Sequence, residues 1–460
     1  MLGAVLGSSG GDACVPDART PVVLKAVIVG GVTTAFLTDR YELTMLDAAI
    51  GAGTHERASV FEVFTRRLPT GRRYGVVAGT GRLVELLGRF RFGDSELAWL
   101  RHNAIVRPET LEWLAEYRFR GTITGYREGE LYFPGSPVLR VDGTFADAVI
   151  LETLILSVLN YDSAIASAAS RMVSAAEGRP LAEMGSRRTG ERSAVSAARA
   201  AFIAGFSATS NLEAGRTWGI PTMGTAAHSF TLLHDSEEAA FAAQVAALGP
   251  DTTLLVDTYD IAQGVETAVR VAGPGLGAVR IDSGDLPVVV AQVRAQLDSL
   301  GATGTRITVT NDLDEYAIAA LRGAPVDSYG VGTAVVTGSG HPAAGMVFKL
   351  VARRDGMGEW VPVAKHSSGK ENVGGRKVPV RRLDGGIAVE ETILVDEPAD
   401  GTDGRRLDVT FVEDGAPVTA HLGTEGVAAA REHHRAAIAE MPPDALRLSR
   451  GEPAIPTVYR

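Results

Sequence analysis

TLLVDTYDIAQGVETAVRVAGPGLGAVRIDSGDL, residues 253–286, decides the fold, because it contains one complete strand–helix–strand repeat. TLLV and AVRI are short apolar runs, and a helical stretch separates them. That interval is the length of a βα unit, so the two strands should lie parallel with a right-handed crossover. The rhythm begins near residue 180 and returns in IPTMG near 220, RITVT near 306 and DSYGVG near 327, at intervals of roughly 25 to 30 residues. An α/β barrel is the natural closure.

Each run ends in a polar cluster: GTAAHS after IPTM, DTYD after TLLV, DSGD after AVRI, ND after ITVT and GVGT after DSY. Parallel strands direct all these ends to one mouth, where barrel enzymes carry their chemistry.

Working outward, TDRYELTMLDAAIGAG (38–53) reads as a helix capped by Thr38 or Asp39. SVFEVFTRRL reads as a strand, VVAGTGRLVELLGRF as a helix, and GTITGYRE, ELYFPG and PVLRVDG as short strands. Residues 147–176 are helical. Residues 345–422 return to strand-like runs, followed by the helix AAAREHHRAAIAEM, with His433 and His434 expected on its surface. The division is an N-terminal extension (1–35), an outer α+β region (36–150), a barrel (151–345) and a C-terminal part (346–460) packing back on the outer region. That makes the outer domain discontinuous.

The totals limit the function. With 460 residues, 45% of them hydrophobic, a small binding module is excluded as the default. A net charge of -10 argues against nucleic-acid partners. Cys14 is the only cysteine, which rules out an internal disulfide and a thiolate zinc cage and fits a cytoplasmic location. No apolar run reaches membrane-spanning length.

Within the clusters, GVGTAVVTGSG (330–340) offers bare N–H groups and hydroxyls to a phosphate, or simply makes a tight turn. Asp257, Asp260, Asp282 and Asp285 suit ribose hydroxyls or a phosphate-bound magnesium ion; for Asp260 and Asp285 helix capping is an even alternative. Arg187 and Arg188 match phosphate or carboxylate geometry, or lie solvated. His228 is equally a structural residue or a nucleophile. Lys365 and Lys370 form a basic loop, over the phosphates or in solvent. No residue set stands out as a metal cage.

TDRYELTM (38–45), FEVFTRRLP (61–69), EMGSRR (183–188), GFSATSN (205–211), MGTAAHSF (223–230), VRIDSGDL (279–286) and GVGTAVVT (330–337) together, in this order, resemble the nicotinate phosphoribosyltransferases. The resemblance implies an irregular α/β barrel with an outer α+β domain, working as a cytoplasmic homodimer. It implies nicotinate and phosphoribosyl pyrophosphate as substrates, with ATP as co-substrate and Mg2+ as cofactor. By motif, Tyr41 would stack on the pyridine ring from the neighbouring subunit, and Thr225 and Arg280 would contact nicotinate. Arg187 and Asp282 would lie near the phosphoribosyl group, Gly332 and Thr333 would hold its 5-phosphate, and His228 would be phosphorylated. Ser210, where nicotinamide-using relatives tend to carry aspartate, favours the acid. Met184 stands where an aromatic residue often lies. The competing readings are a nicotinamide phosphoribosyltransferase, and a phosphate-binding barrel enzyme or sensor of other function.

Overall fold

The computed structural model describes residues 33–365, 372–398 and 403–460. Most of the expected extension, and Lys370, lie outside the described residues. Thr34 and Ala35 are buried, and the Thr34 N–H donates to Arg89 O at 3.2 Å. The packed fold therefore includes two residues expected in the extension.

Six short strands make a parallel sheet in the order Ala208–Thr209, Leu181–Glu183, Ser328–Val331, Arg306–Val309, Ala278–Ile281, Thr253–Leu255. Its register sets Val279 beside Ile307 on one side and Leu254 on the other. With the helices Ile261–Ala272 and Leu286–Ser299 following their strands, the sheet curls into an irregular α/β barrel. Val279, Ile281, Ile307, Val309 and Val331 are fully buried within it. Each such side chain contributes about 1.5–3 kcal/mol by leaving water.

IPTMG is not the full strand its composition predicts. It supplies one isolated parallel bridge, Thr209 to Thr222, with Thr209 N–H donating to Pro221 O and Met223 N–H to Thr209 O. Pro221 has no N–H to continue a ladder. Among the described residues no ladder joins this segment to Thr253–Leu255, so the barrel stays open there.

The outer domain is built on a seven-stranded antiparallel sheet that interleaves the two ends of the chain. The strand Ala58–Thr65 lies between Met346–Arg354 and Leu139–Thr144, and the Phe61 and Phe348 rings stack across it at 4.9 Å. A buried ion pair, Lys377 Nζ to Glu62 Oε2 at 2.8 Å, ties the late segment to the early one. The outer domain is thus discontinuous. The helix Glu152–Ala176 belongs to both cores, giving Leu154, Ile155 and Val158 to the outer one and Ile165, Ala169 and Met172 to the barrel.

The helix Gly423–Ala439 corrects one expectation, because His434 is buried rather than on the surface. Its Nδ1 lies 2.9 Å from Gly129 O and its Nε2 3.1 Å from Ser170 Oγ, so one ring nitrogen donates and the other accepts. His433 reaches Glu130 Oε2 at 2.9 Å. These partners come from distant segments, which helical periodicity does not register.

Burial lowers the His434 pKa from 6.5 to about 4. The unfolded chain takes up a proton below pH about 6.5 that the folded chain refuses, so this contribution is full above that pH and is lost as pH falls toward 4. It is worth at most about 3 kcal/mol. Urea unfolding from pH 7 to 4 should therefore show a steeper stability loss in the wild type than in His434→Gln, whose amide can keep both hydrogen bonds. Parallel curves would remove His434 from the acid sensitivity.

Candidate active site at the barrel mouth

Asp257, two residues beyond the strand Thr253–Leu255, organises one side of the mouth. Its Oδ2 accepts from the Asp282 N–H at 2.8 Å and from the Ser283 hydroxyl at 2.7 Å. Asp282, just past Ala278–Ile281, accepts in turn from the Thr310 hydroxyl at 2.8 Å. Three successive strand ends are thereby locked together. Asp282 Oδ2 faces His228 Nε2 at 3.9 Å, and His228 Nδ1 lies 3.2 Å from Thr258 Oγ1. Both His228 and Asp282 remain partly open to solvent.

Arg280 ends the same strand and donates from Nη1 to Thr225 Oγ1 at 2.7 Å. Burial lowers its pKa, Asp282 and Asp257 oppose that, and the Arg187 guanidinium pushes it down further. The half-buried Arg280 thus feels the charge of a second, exposed cation, Arg187. Arg280 Nε and Asp257 Oδ1 are buried without a hydrogen-bond partner, as is Glu237 Oε1. Buried polar atoms without partners are places where a ligand can supply the missing partner.

On the other side, Glu183 ends the strand Leu181–Glu183 fully buried. Its carboxylate accepts from the Gly185 N–H at 2.5 Å and the Thr209 hydroxyl at 2.6 Å, and burial raises its pKa. It fixes the Ser186–Arg188 turn, which exposes Arg187, against the turn carrying Ser210, whose N–H donates to Glu183 O at 2.8 Å. Asn211 Nδ2 bonds Ser186 Oγ at 3.0 Å across the same gap. A Cβ on Gly185 would stand 2.3 Å from Val336 Cγ1 and 2.9 Å from Gly332 O, so only glycine lets the arginine turn reach the Gly-rich loop. Gly332 there precedes the four-residue helix Thr333–Val336.

The mouth thus assembles Arg187, Ser210, Thr225, His228, Arg280, Asp282, Gly332 and Thr333. Tyr41 is elsewhere: it lies on the helix Arg40–Gly51, exposed, beside Glu152 and Thr153. Burial, Glu152 and Glu42 raise its pKa to about 12, so it stays a neutral phenol. Lys365 is exposed, with its N–H bound to Asn372 Oδ1 at 2.9 Å. Asp260 is a helix cap, its Oδ1 accepting from Gln263 N–H at 2.9 Å; Asp285 precedes a helix without making such a bond.

Sequence reasoning passed over Glu183, Thr258 and Thr310. The signal was available for the two threonines, which stand in DTYD and at the end of ITVT with hydroxyls facing the cluster. Glu183 sits in EMGSRR, where the paired arginines draw attention away from a carboxylate whose importance depends on burial.

Comparison with known proteins follows the same outline. Residues 36–160 match the family model of the nicotinate phosphoribosyltransferase N-terminal domain. The chain is 58% identical over 437 residues to nicotinate phosphoribosyltransferase pncB1 of Mycobacterium tuberculosis, covering 92% of this chain and 94% of that protein. It is 38% identical over 345 residues to nicotinate phosphoribosyltransferase of Bacillus subtilis, covering 73% and 70%. Among solved structures, human nicotinic acid phosphoribosyltransferase shares the fold with a TM-score of 0.75 at 24% identity, over 92% of this chain and 97% of that one. The nicotinate-nucleotide pyrophosphorylase of Pyrococcus furiosus shares it at 0.71 and 23% identity, over 88% and 95%. By sequence identity along nearly its whole length, the chain belongs to the nicotinate phosphoribosyltransferase family.

Proposed function

We propose that the protein joins nicotinate to phosphoribosyl pyrophosphate, giving nicotinate mononucleotide and pyrophosphate in NAD salvage, with ATP hydrolysis coupled through His228. The observation that carries the reading is the half-buried Arg280, bonded to Thr225 and next to Arg187 and the His228–Asp282 pair. A guanidinium in such a place matches the carboxylate of nicotinate, which nicotinamide lacks.

In the reaction the pyridine nitrogen attacks C1 of the ribose as the C1–oxygen bond to pyrophosphate breaks. Positive charge develops on the ribosyl centre and negative charge on the leaving group. Asp282, held by Thr310 and by its own backbone bond to Asp257, is placed for the ribosyl side. Arg187 is placed for the phosphoribosyl group, and Gly332 and Thr333 present N–H groups and a hydroxyl to the 5-phosphate. Because these groups are preorganised by the strand ends, they need little rearrangement as charge develops.

His228 would accept the γ-phosphoryl group of ATP, with ADP leaving, and the phosphohistidine would later be hydrolysed. With Nδ1 beside the Thr258 hydroxyl and Nε2 facing Asp282, the tautomer protonated on Nδ1 would leave Nε2 as the nucleophile. The Asp257 and Glu237 oxygens without partners are hard donors of the kind magnesium takes. Among the described residues no group of three or more His, Cys, Asp or Glu side chains is arranged as a metal cage. The ion would therefore keep mainly phosphate oxygens and water as ligands, and it supplies charge neutralisation on the pyrophosphate.

Tyr41 supports a dimer reading. It stands exposed on the outer domain, as do Phe36, Leu37 and Trp99, which suits a ring that completes the site of a second copy. Among the described residues no helix is long and apolar enough to cross a membrane.

Purified protein given nicotinate, phosphoribosyl pyrophosphate and Mg2+ should form nicotinate mononucleotide faster with ATP than without. His228→Ala should retain slow formation and lose the stimulation. Equal ATP stimulation in both proteins would defeat the phosphohistidine role, and no turnover of nicotinate would defeat the activity. Ser210→Asp should raise the KM for nicotinate roughly tenfold or more through like-charge repulsion; an unchanged KM would place Ser210 away from the base.

A further inference from the structure

Beyond Thr333–Val336 the loop makes an unusual turn, with Gly338, Ser339 and Gly340 at φ of 60, 51 and 83°. Glycine adopts this conformation freely, whereas a serine in it is strained; within the loop the Gly338 N–H donates to Val335 O at 3.1 Å and the Ser339 N–H to Ala334 O at 2.7 Å. A Cβ at Gly338 would lie 2.3 Å from His341 O, so the turn is also tight.

Further support comes from two buried groups outside the loop. Arg72, only 6% exposed, donates from Nη2 to Gly338 O at 2.5 Å and from Nη1 to Ala164 O at 3.5 Å. Both acceptors are carbonyl oxygens, and burial lowers its pKa while Glu315 opposes that. Glu315 is the second group. Its Oε2 accepts from the Ser339 hydroxyl at 2.6 Å and its Oε1 pairs with Arg171 Nε at 3.1 Å. A cavity of 260 Å3 beside them is lined by Arg72, Arg171, Glu315, Tyr316, Ser339 and His341.

Burying a guanidinium that bonds only carbonyl oxygens is expensive, and the nearby Glu315 charge offsets part of that cost. What the arrangement accomplishes is a fixed turn. Arg72 lies between the outer-domain strands Ala58–Thr65 and Gly75–Val76, Arg171 on Glu152–Ala176, and Glu315 on the helix after Arg306–Val309. Arg72 and Glu315 thus hold one short loop from two separate elements, and Arg171 on a third steadies Glu315.

We propose that Arg72 and Glu315 are positioning residues for the Gly332–Gly340 loop, setting the orientation in which Gly332 and Thr333 meet the 5-phosphate of phosphoribosyl pyrophosphate. The inference rests on the reading that Gly332 and Thr333 contact that phosphate. Loosening the turn should weaken the phosphorylated substrate and leave nicotinate alone.

The test is steady-state kinetics against both substrates, with thermal unfolding measured in parallel, for Ser339→Ala, Arg72→Lys, Arg72→Met and Thr333→Val. Ser339→Ala and Arg72→Met should each raise the KM for phosphoribosyl pyrophosphate roughly tenfold, with kcat and the KM for nicotinate within about twofold. Arg72→Lys should recover part of the loss, because one of the two carbonyl contacts can be remade. If Arg72→Met does not fold, Ser339→Ala and Arg72→Lys decide. A raised KM in Thr333→Val with unchanged values in the Arg72 and Ser339 variants overturns this inference alone. Unchanged values in Thr333→Val as well overturn the phosphate-loop reading beneath it. Equal changes in kcat and both KM values, tracking the unfolding temperature, reduce Arg72 and Glu315 to stability and also overturn the proposal.

Discussion

The mouth of the barrel depends on one carboxylate, Asp257, holding the backbone of the neighbouring strand end. Its bonds to the Asp282 N–H and the Ser283 hydroxyl fix the point at which Ala278–Ile281 stops, and with it the directions of Arg280 and Asp282. Arg280 then meets Thr225 on the segment that carries His228, and Asp282 meets both Thr310 and His228. Four stretches far apart in sequence converge through short, charge-assisted bonds. Such bonds are strong where water is partly excluded, and they leave the reacting groups little freedom.

The same principle operates at larger scale. The barrel is open between the Thr222 segment and Thr253–Leu255, so its shape is not enforced by a closed ladder. The helix Glu152–Ala176, shared by both cores, and the interleaved outer sheet provide the missing constraint. The buried pair Lys377–Glu62 joins an early to a late segment of the chain, and the buried pair Arg199–Glu128 joins segments 71 residues apart. Pairs of this kind are weak contributors to net stability but penalise every arrangement that separates the partners. They therefore specify how the outer domain closes on itself.

Much of this was legible in the residues. TLLV, AVRI and ITVT declare themselves as parallel strands because each is an apolar run cut off by carboxylates, amides or hydroxyls, and those cut-offs meet at the barrel mouth. LAE and AT are too short to carry any periodicity, so the strands that complete the sheet at Glu183 and Thr209 were invisible. IPTM has the composition of a strand, yet Pro221 leaves it with a single bridge. His434 was read as surface because its helix is polar around it, whereas its partners Gly129 and Ser170 are long-range neighbours that no local pattern announces. The proposed roles of Arg280, His228 and Asp282 came from resemblance; composition alone left His228 balanced between structure and chemistry. Arg72 and Glu315 carry no motif, and only their burial and their bonds to the Gly338–Ser339 turn bring them forward.

The central claim is that a half-buried cation at the end of one parallel strand selects the acid form of the base. Isothermal titration of nicotinate and of nicotinamide into the wild type and Arg280→Gln, without phosphoribosyl pyrophosphate so that no turnover occurs, tests it most directly. The account predicts that the wild type binds nicotinate at least about 100-fold more tightly than nicotinamide, and that most of this preference disappears in the variant. Equal affinities in the wild type, or a preference that survives the loss of the guanidinium, would contradict it.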